Sequence, residues 1–127
     1  MAVRLDSWIP DYAANLPVTS GVAWYGPLIP GHGVVALTVQ IASTNGAAGT
    51  CYIFGTNFDG IPPLINSSTG MPQGVQLTNV ALSGVNVASI NMGITSTGIG
   101  VNKFYLQFTP TVSGNIYIAV NMRRNSA

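Results

Sequence analysis

Phe104-Tyr105-Leu106-Gln107-Phe108-Thr109-Pro110, then Thr111-Val112-Ser113-Gly114-Asn115, then Ile116-Tyr117-Ile118-Ala119-Val120-Asn121-Met122, is the stretch that decides the fold. In both flanking runs an apolar residue recurs at every second position: Phe104, Leu106 and Phe108, then Ile116, Ile118, Val120 and Met122. Successive side chains of extended backbone point to opposite sides. This spacing therefore sets one face of each run on a core and the other in a polar setting. The break between the runs contains Gly114, which accepts the positive φ that such loops often need. The sequence predicts a closing hairpin here.

The same signal extends outward. Val35, Leu37, Val39 and Ile41 alternate with Ala36, Thr38 and Gln40. Weaker strands are predicted at 18–25, 50–55, 74–80 and 85–92. No segment sustains the i, i+3, i+4 apolar spacing of a helix. Short strands separated by Gly- and Asn-rich turns predict an all-β protein, an antiparallel two-sheet β-sandwich or jelly roll. A chain of 127 residues fits one domain, and at this size it needs no metal or disulfide to bury a core. Residues 1–16 differ in character. They hold Trp8, Tyr12, Arg4, Asp6 and Asp11, with Pro10 and Pro17 as interruptions. They are read as an extended N-terminal arm before a β-sandwich domain at 17–127, packing either across its own domain or onto a neighbour. Residues 57–72, with Pro62, Pro63 and Pro72, read as a long surface loop, and 93–100 as a second one. Gly46-Ala47-Ala48-Gly49 reads as a turn.

Charge is the compositional anomaly. Only 6% of residues are Asp, Glu, Lys or Arg, against about 25% in an average soluble domain. There is no Glu, and Arg4, Asp6, Asp11, Asp59, Lys103, Arg123 and Arg124 are the whole set. A net charge of +1 leaves little repulsion between copies. A face without charges can be covered without desolvating ions. Nucleic acid is excluded as a partner, because phosphates demand clustered Lys and Arg, and the one adjacent pair is Arg123-Arg124. That pair is either a solvated tail or an anchor onto an acidic surface. The apolar fraction of 47% does not assemble into a membrane span, since runs such as Gly33-Val34-Val35-Ala36-Leu37 are far too short. Residues 1–8 carry no apolar stretch behind Arg4, so no signal peptide is expected.

Candidate chemistry is sparse. Cys51, the single cysteine, lies in a buried-strand pattern and reads as a packed core thiol. His32, the single histidine, sits in a turn and cannot form a metal cluster alone. Asp59 before Gly60 reads as a turn former. As a calcium ligand with Asn57 it would need most of the roughly six to eight oxygens from elsewhere. No phosphate-binding glycine loop is present. Neither a catalytic set, nor a metal site, nor a cofactor is expected. Trp24, Tyr25 and Tyr52, with Trp8 and Tyr12, read first as core and interface aromatics, and second as platforms for sugar rings.

Leu37-Thr38-Val39-Gln40-Ile41, then Gly49-Thr50-Cys51-Tyr52-Ile53-Phe54-Gly55-Thr56-Asn57-Phe58-Asp59-Gly60, then Lys103 to Phe108 and Ser113 to Ile118, occur in an order that resembles small β-sandwich virion proteins of tailed bacteriophages. The chain departs from that pattern at Phe58, inserted before Asp59, and at Ile61-Pro62-Pro63 in place of an aromatic. The resemblance implies a non-enzymatic virion component, made in the host cytoplasm, of the kind that decorates or cements a capsid. It implies the major capsid protein or other virion proteins as partners. Low charge and the arm favour a homo-oligomer, with a trimer preferred. The expected contact residues are Arg4, Trp8 and Tyr12 of the arm, Phe58 and Asp59 of the long loop, and Arg123 and Arg124. The alternative is a carbohydrate- or receptor-binding β-sandwich of a tail fibre or spike.

Overall fold

The computed structural model describes residues 3–31, 33–58, 65–83, 88–95 and 101–126. Among them, strand follows strand: β1 (Val3–Val18), β2 (Trp24–Tyr25), β3 (Ile29–Pro30), β4 (Val34–Ser43), β5 (Ala48–Thr56), β6 (Val75–Leu82), β7 (Ala88–Thr95), β8 (Lys103–Val112) and β9 (Gly114–Ser126). One sheet has the order β1-β9-β4-β7 and the other β2-β8-β5-β6, with β3 also paired to β8 and all pairings antiparallel. This interleaving is the strand order of a jelly roll, a double sheet built from two Greek keys.

The alternation read from sequence sets the core. Leu37, Val39 and Ile41 of β4 and Ile116, Ile118, Val120 and Met122 of β9 point inward from one sheet. Cys51 and Ile53 of β5 and Phe104, Leu106 and Phe108 of β8 meet them from the other. Side chains from two inner faces interdigitate in this way in packed sheets. The register shift between Val34 and Ala36 explains why Val34 is buried while Val35 is only half-buried.

The predicted closing hairpin is corrected. β8 and β9 do not pair. They lie in opposite sheets, and Ser113 carries the chain across the sandwich. Two strands with the same inward phase satisfy the alternation equally well side by side or face to face across a core. Burial chose the second arrangement. The strand predicted at 18–25 is also shorter: β1 ends at Val18 and only Trp24 and Tyr25 form β2.

Residues 1–16 are expected as an extended arm; the described part of them, from Val3 on, runs with Pro17 and Val18 along β9 as an edge strand of the first sheet. The register slips between Ile9 and Ala13, and again before Leu16. Pro10 lies within the first slip, consistent with the tolerance of proline at edges and bulges. Asn15, with φ 50°, lies within the second.

The first slip turns Tyr12 inward, and this closes one side of the sandwich. β2 and β3 both pair with β8 but are separated by Gly26-Pro27-Leu28. Gly26 N still donates to Leu106 O at 2.9 Å, but the Leu106 N–H faces no strand. The Tyr12 hydroxyl accepts that N–H at 3.3 Å and donates its own proton to Pro27 O at 2.6 Å. Its ring meets Trp24 edge-on, with centroids 5.9 Å apart. A Cβ at Gly26 would run into the Tyr12 ring, so the close approach requires glycine.

Candidate functional site

The expected contact residues are dispersed. Arg4 lies opposite Asn125, and Asp6 opposite Arg123, in the β1–β9 register. Trp8 is 71% exposed. Tyr12 is buried, both hydrogen-bonding functions of its hydroxyl are used inside the chain, and burial raises the pKa of its phenol. Phe58 is exposed two residues beyond the end of β5. Asp59 and His32 lie outside the described residues; of the loop predicted at 93–100, residues 93–95 instead continue β7 beside β4, and 96–100 lie outside the described residues. Arg123 and Arg124 point to opposite sides of β9. Arg123 is on the outer surface. Arg124 turns along the sandwich edge, and its Nη2 donates to Pro30 O of the other sheet at 2.7 Å.

Trp8 defines the first outer face. A row crosses the whole sheet from Trp8 to Asn121, Thr38 and Gly93. Beside it, Gln40 pairs with Ala119. Trp8, Thr38, Gln40, Ala119 and Asn121 line a shallow depression of about 240 Å³. Its side chains are small or neutral, apart from the indole that stands over them. An exposed indole brings a large, rigid area to any surface that covers it, and Trp is enriched at protein contacts for that reason.

The second sheet has a different outer face. Its strands place aromatics at outward positions: Tyr52 and Phe54 on β5, Tyr105 on β8 and Tyr25 on β2. Phe54 lies opposite Tyr105 in the register, and their rings stack 5.3 Å apart, 6° from parallel. Tyr52 packs beside Phe54 at 6.2 Å. The segment 65–74 stands over this surface as a wall. It is pinned by the Ile65–Pro72 bridge, by Thr56 Oγ1 donating to Gln73 O at 2.7 Å, and by the Tyr105 hydroxyl donating to Pro72 O at 3.3 Å. Between wall and sheet lies a cleft of about 210 Å³, lined by Tyr25, Phe54, Tyr105, Gln107, Asn66 and Gln73 among others. The sequence reading did not assemble this cleft. Its visible signal is that Phe54 and Tyr105 occupy the outward phase of their strands, where a polar residue is the usual occupant.

No three His, Cys, Asp or Glu side chains converge among the described residues. Cys51 is buried, and burial pushes its thiol up to about 12, which removes the thiolate a nucleophile needs. Asn57 Oδ1 accepts the Asn102 N–H at 2.6 Å and so holds loop to loop. No helix is long and apolar enough to cross a membrane among the described residues.

No family model matches the chain, and no curated protein matches it in sequence. Solved structures do match. The Gt strain of infectious bursal disease virus aligns at TM-score 0.58 and 14% identity, over 95% of this chain and 32% of that one. The VP2 subviral particle of the same virus gives the same values. The T13 particle of that virus aligns at TM-score 0.57 and 14% identity, over 95% of this chain and 31% of that one. The chain thus spans about a third of the length of each of these three structures. At this identity the likeness shows a shared jelly-roll fold alone.

Proposed function

We propose that this chain is a non-enzymatic virion structural protein that decorates or cements a capsid, held there by self-association and by contacts to the major capsid protein. The observation that carries the reading is the Trp8 face: an outer sheet surface of small or uncharged side chains around the 71%-exposed Trp8 indole, with Tyr117 exposed further along β9. Covering it buries apolar area without desolvating an ion. Exposed Trp residues are disproportionately the energetic centres of protein contacts. Two further features support it. Jelly rolls recur in viral capsids, and the proteins of similar fold come from a virus particle. A closed ring of copies, such as a trimer, suits a small neutral domain of this kind.

The test is sedimentation of the purified chain across concentration, with co-sedimentation on particles that lack it. The wild-type chain should self-associate and bind, and Trp8→Ala should weaken binding by about tenfold or more. A wild-type chain that stays monomeric at high concentration and ignores the particles refutes the reading.

A further inference from the structure

The cleft on the outer face of the second sheet plays no part in the assembly reading, because it lies on the side of the sandwich away from Trp8. From its lining we infer that it binds a neutral carbohydrate, engaging one or two pyranose rings of a glycan chain.

The first argument is charge. None of the side chains lining the cleft, among the described residues, is ionisable at neutral pH. A phosphate, a sialylated sugar or an acidic peptide would find no counter-charge there, and burying its ion would be unfavourable. A neutral polyol carries no such penalty.

The second argument is the mixture of groups. Tyr25 and Phe54, both half-buried, offer an apolar surface over the buried Tyr105 ring, while Gln107, Gln73 and Asn66 offer amides. A pyranose has the complementary pair of features: a C–H face that packs on an aromatic ring, and hydroxyls at its rim that both donate and accept. An amide does both as well; the Gln107 Nε2 already donates one N–H to Thr109 Oγ1 at 3.4 Å, which leaves its oxygen and second N–H for a hydroxyl. The Tyr25 hydroxyl and the Gln73 side chain make no hydrogen bond to other described residues, which leaves them for a ligand. The Asn66 Oδ1 is occupied by the Ser68 N–H at 2.9 Å, which orients its NH₂ group.

The third argument is preorganisation. The wall is tied to the sheet by the bonds of Thr56 and Tyr105 described above. Gly74 lets it come close: a Cβ there would sit 2.7 Å from the Tyr105 hydroxyl oxygen. A rigid cleft has little ordering entropy left to lose on binding. At about 210 Å³ it is smaller than the ~300–1,000 Å³ of sites that enclose a drug-sized molecule. This suits an open groove that grips part of a longer chain. A peptide adding itself as a strand is disfavoured, because β5 and β8, beneath the cleft, already have partners on both sides.

The purified chain should be screened on an array of neutral oligosaccharides, sialylated oligosaccharides and proline-rich peptides. The strongest hit is then titrated by ¹⁵N-resolved NMR. Binding should fall on a neutral glycan, with shifts at Gln73 and Gln107. Tyr25→Ser and Gln73→Ala should each weaken it by about fivefold or more, while Val22→Ser, on an exposed turn, should not. Gln73 is exposed, so its variant keeps the fold even if Tyr25→Ser does not. No neutral glycan bound at millimolar concentration overturns the inference. So does binding that is indifferent to Gln73→Ala, or a preference for sialylated glycans or the peptides. None of these results bears on self-association.

Discussion

Replacing Tyr12 by Phe removes one oxygen atom and leaves the ring, its volume and its edge contact with Trp24 in place. No cavity forms, so the cost is one of hydrogen bonding alone. Two groups lose their partner. Pro27 is exposed, and water takes over its carbonyl at little cost. Leu106 is fully buried, and its N–H has only the Tyr12 hydroxyl to meet in the gap between β2 and β3. An orphaned buried donor costs about 1–3 kcal/mol. For a domain of this length that corresponds to a Tm lower by roughly 6–12 °C at the middle of the range. Urea unfolding should show a lower midpoint with an unchanged m-value, since the surface exposed on unfolding is the same. Hydrogen exchange should report lost protection at the Leu106 amide. Tyr117→Phe is the control, because its hydroxyl donates to Asn15 Oδ1 at 3.2 Å on an exposed surface and should cost under about 0.5 kcal/mol. If Tyr12→Phe behaves like the control, Tyr12 does not close the sandwich and the account of the β2–β3 gap is refuted.

Alkaline pH should destabilise the fold. Burial pushes the Cys51 thiol up to about 12 and raises the Tyr12 phenol as well, so the unfolded state loses these protons first. Their contribution is complete below about pH 9 and is lost as pH rises toward 12, by at most ~1.4 kcal/mol per pH unit for each group; urea midpoints that stay level between pH 8 and 11 would contradict this. Cys51 should react with a thiol reagent at the unfolding rate, and stoichiometric labelling within the mixing time would place it at the surface instead. Phe108→Ala, at the centre of the core, should cost about 3–5 kcal/mol in chemical denaturation, and a loss under about 1 kcal/mol would show that the site collapses freely.

Period-two alternation was legible wherever one face is buried and the other wet. Leu37, Val39 and Ile41, like Ile116, Ile118 and Val120, could be placed inside from their spacing alone. What spacing cannot encode is which strand lies opposite. Residues 104–108 and 116–122 have the same phase whether they pair or face each other, and the short link between them favours a hairpin by local reasoning. The jelly roll wins because it covers both inner faces. Tyr12 shows the same limit more sharply. Its place depends on a break between β2 and β3 and on an amide 94 residues away, neither of which leaves a mark near Pro10. The cleft was half legible. Aromatics at the outward positions 54 and 105 are visible in the sequence, but their contact requires the β5–β8 register.

The scarcity of charge acquires a sharper meaning once the two sheets are distinguished. A sandwich has two outer faces, and this sequence equips them differently. One is flat, with Thr38, Gln40, Ala119 and Asn121 beneath Trp8. The other is aromatic and walled, with Phe54 and Tyr105 beneath the segment 65–74. Among the described residues, ionisable groups of full charge are absent from the lining of both. A protein partner on the first face and a neutral glycan on the second impose the same requirement, that covering the surface should strip water from no ion. One compositional bias would therefore serve both proposed sites. Because the hydrophobic core separates them, occupying one face leaves the other open, so assembly through Trp8 and capture through the cleft are geometrically compatible in the same molecule.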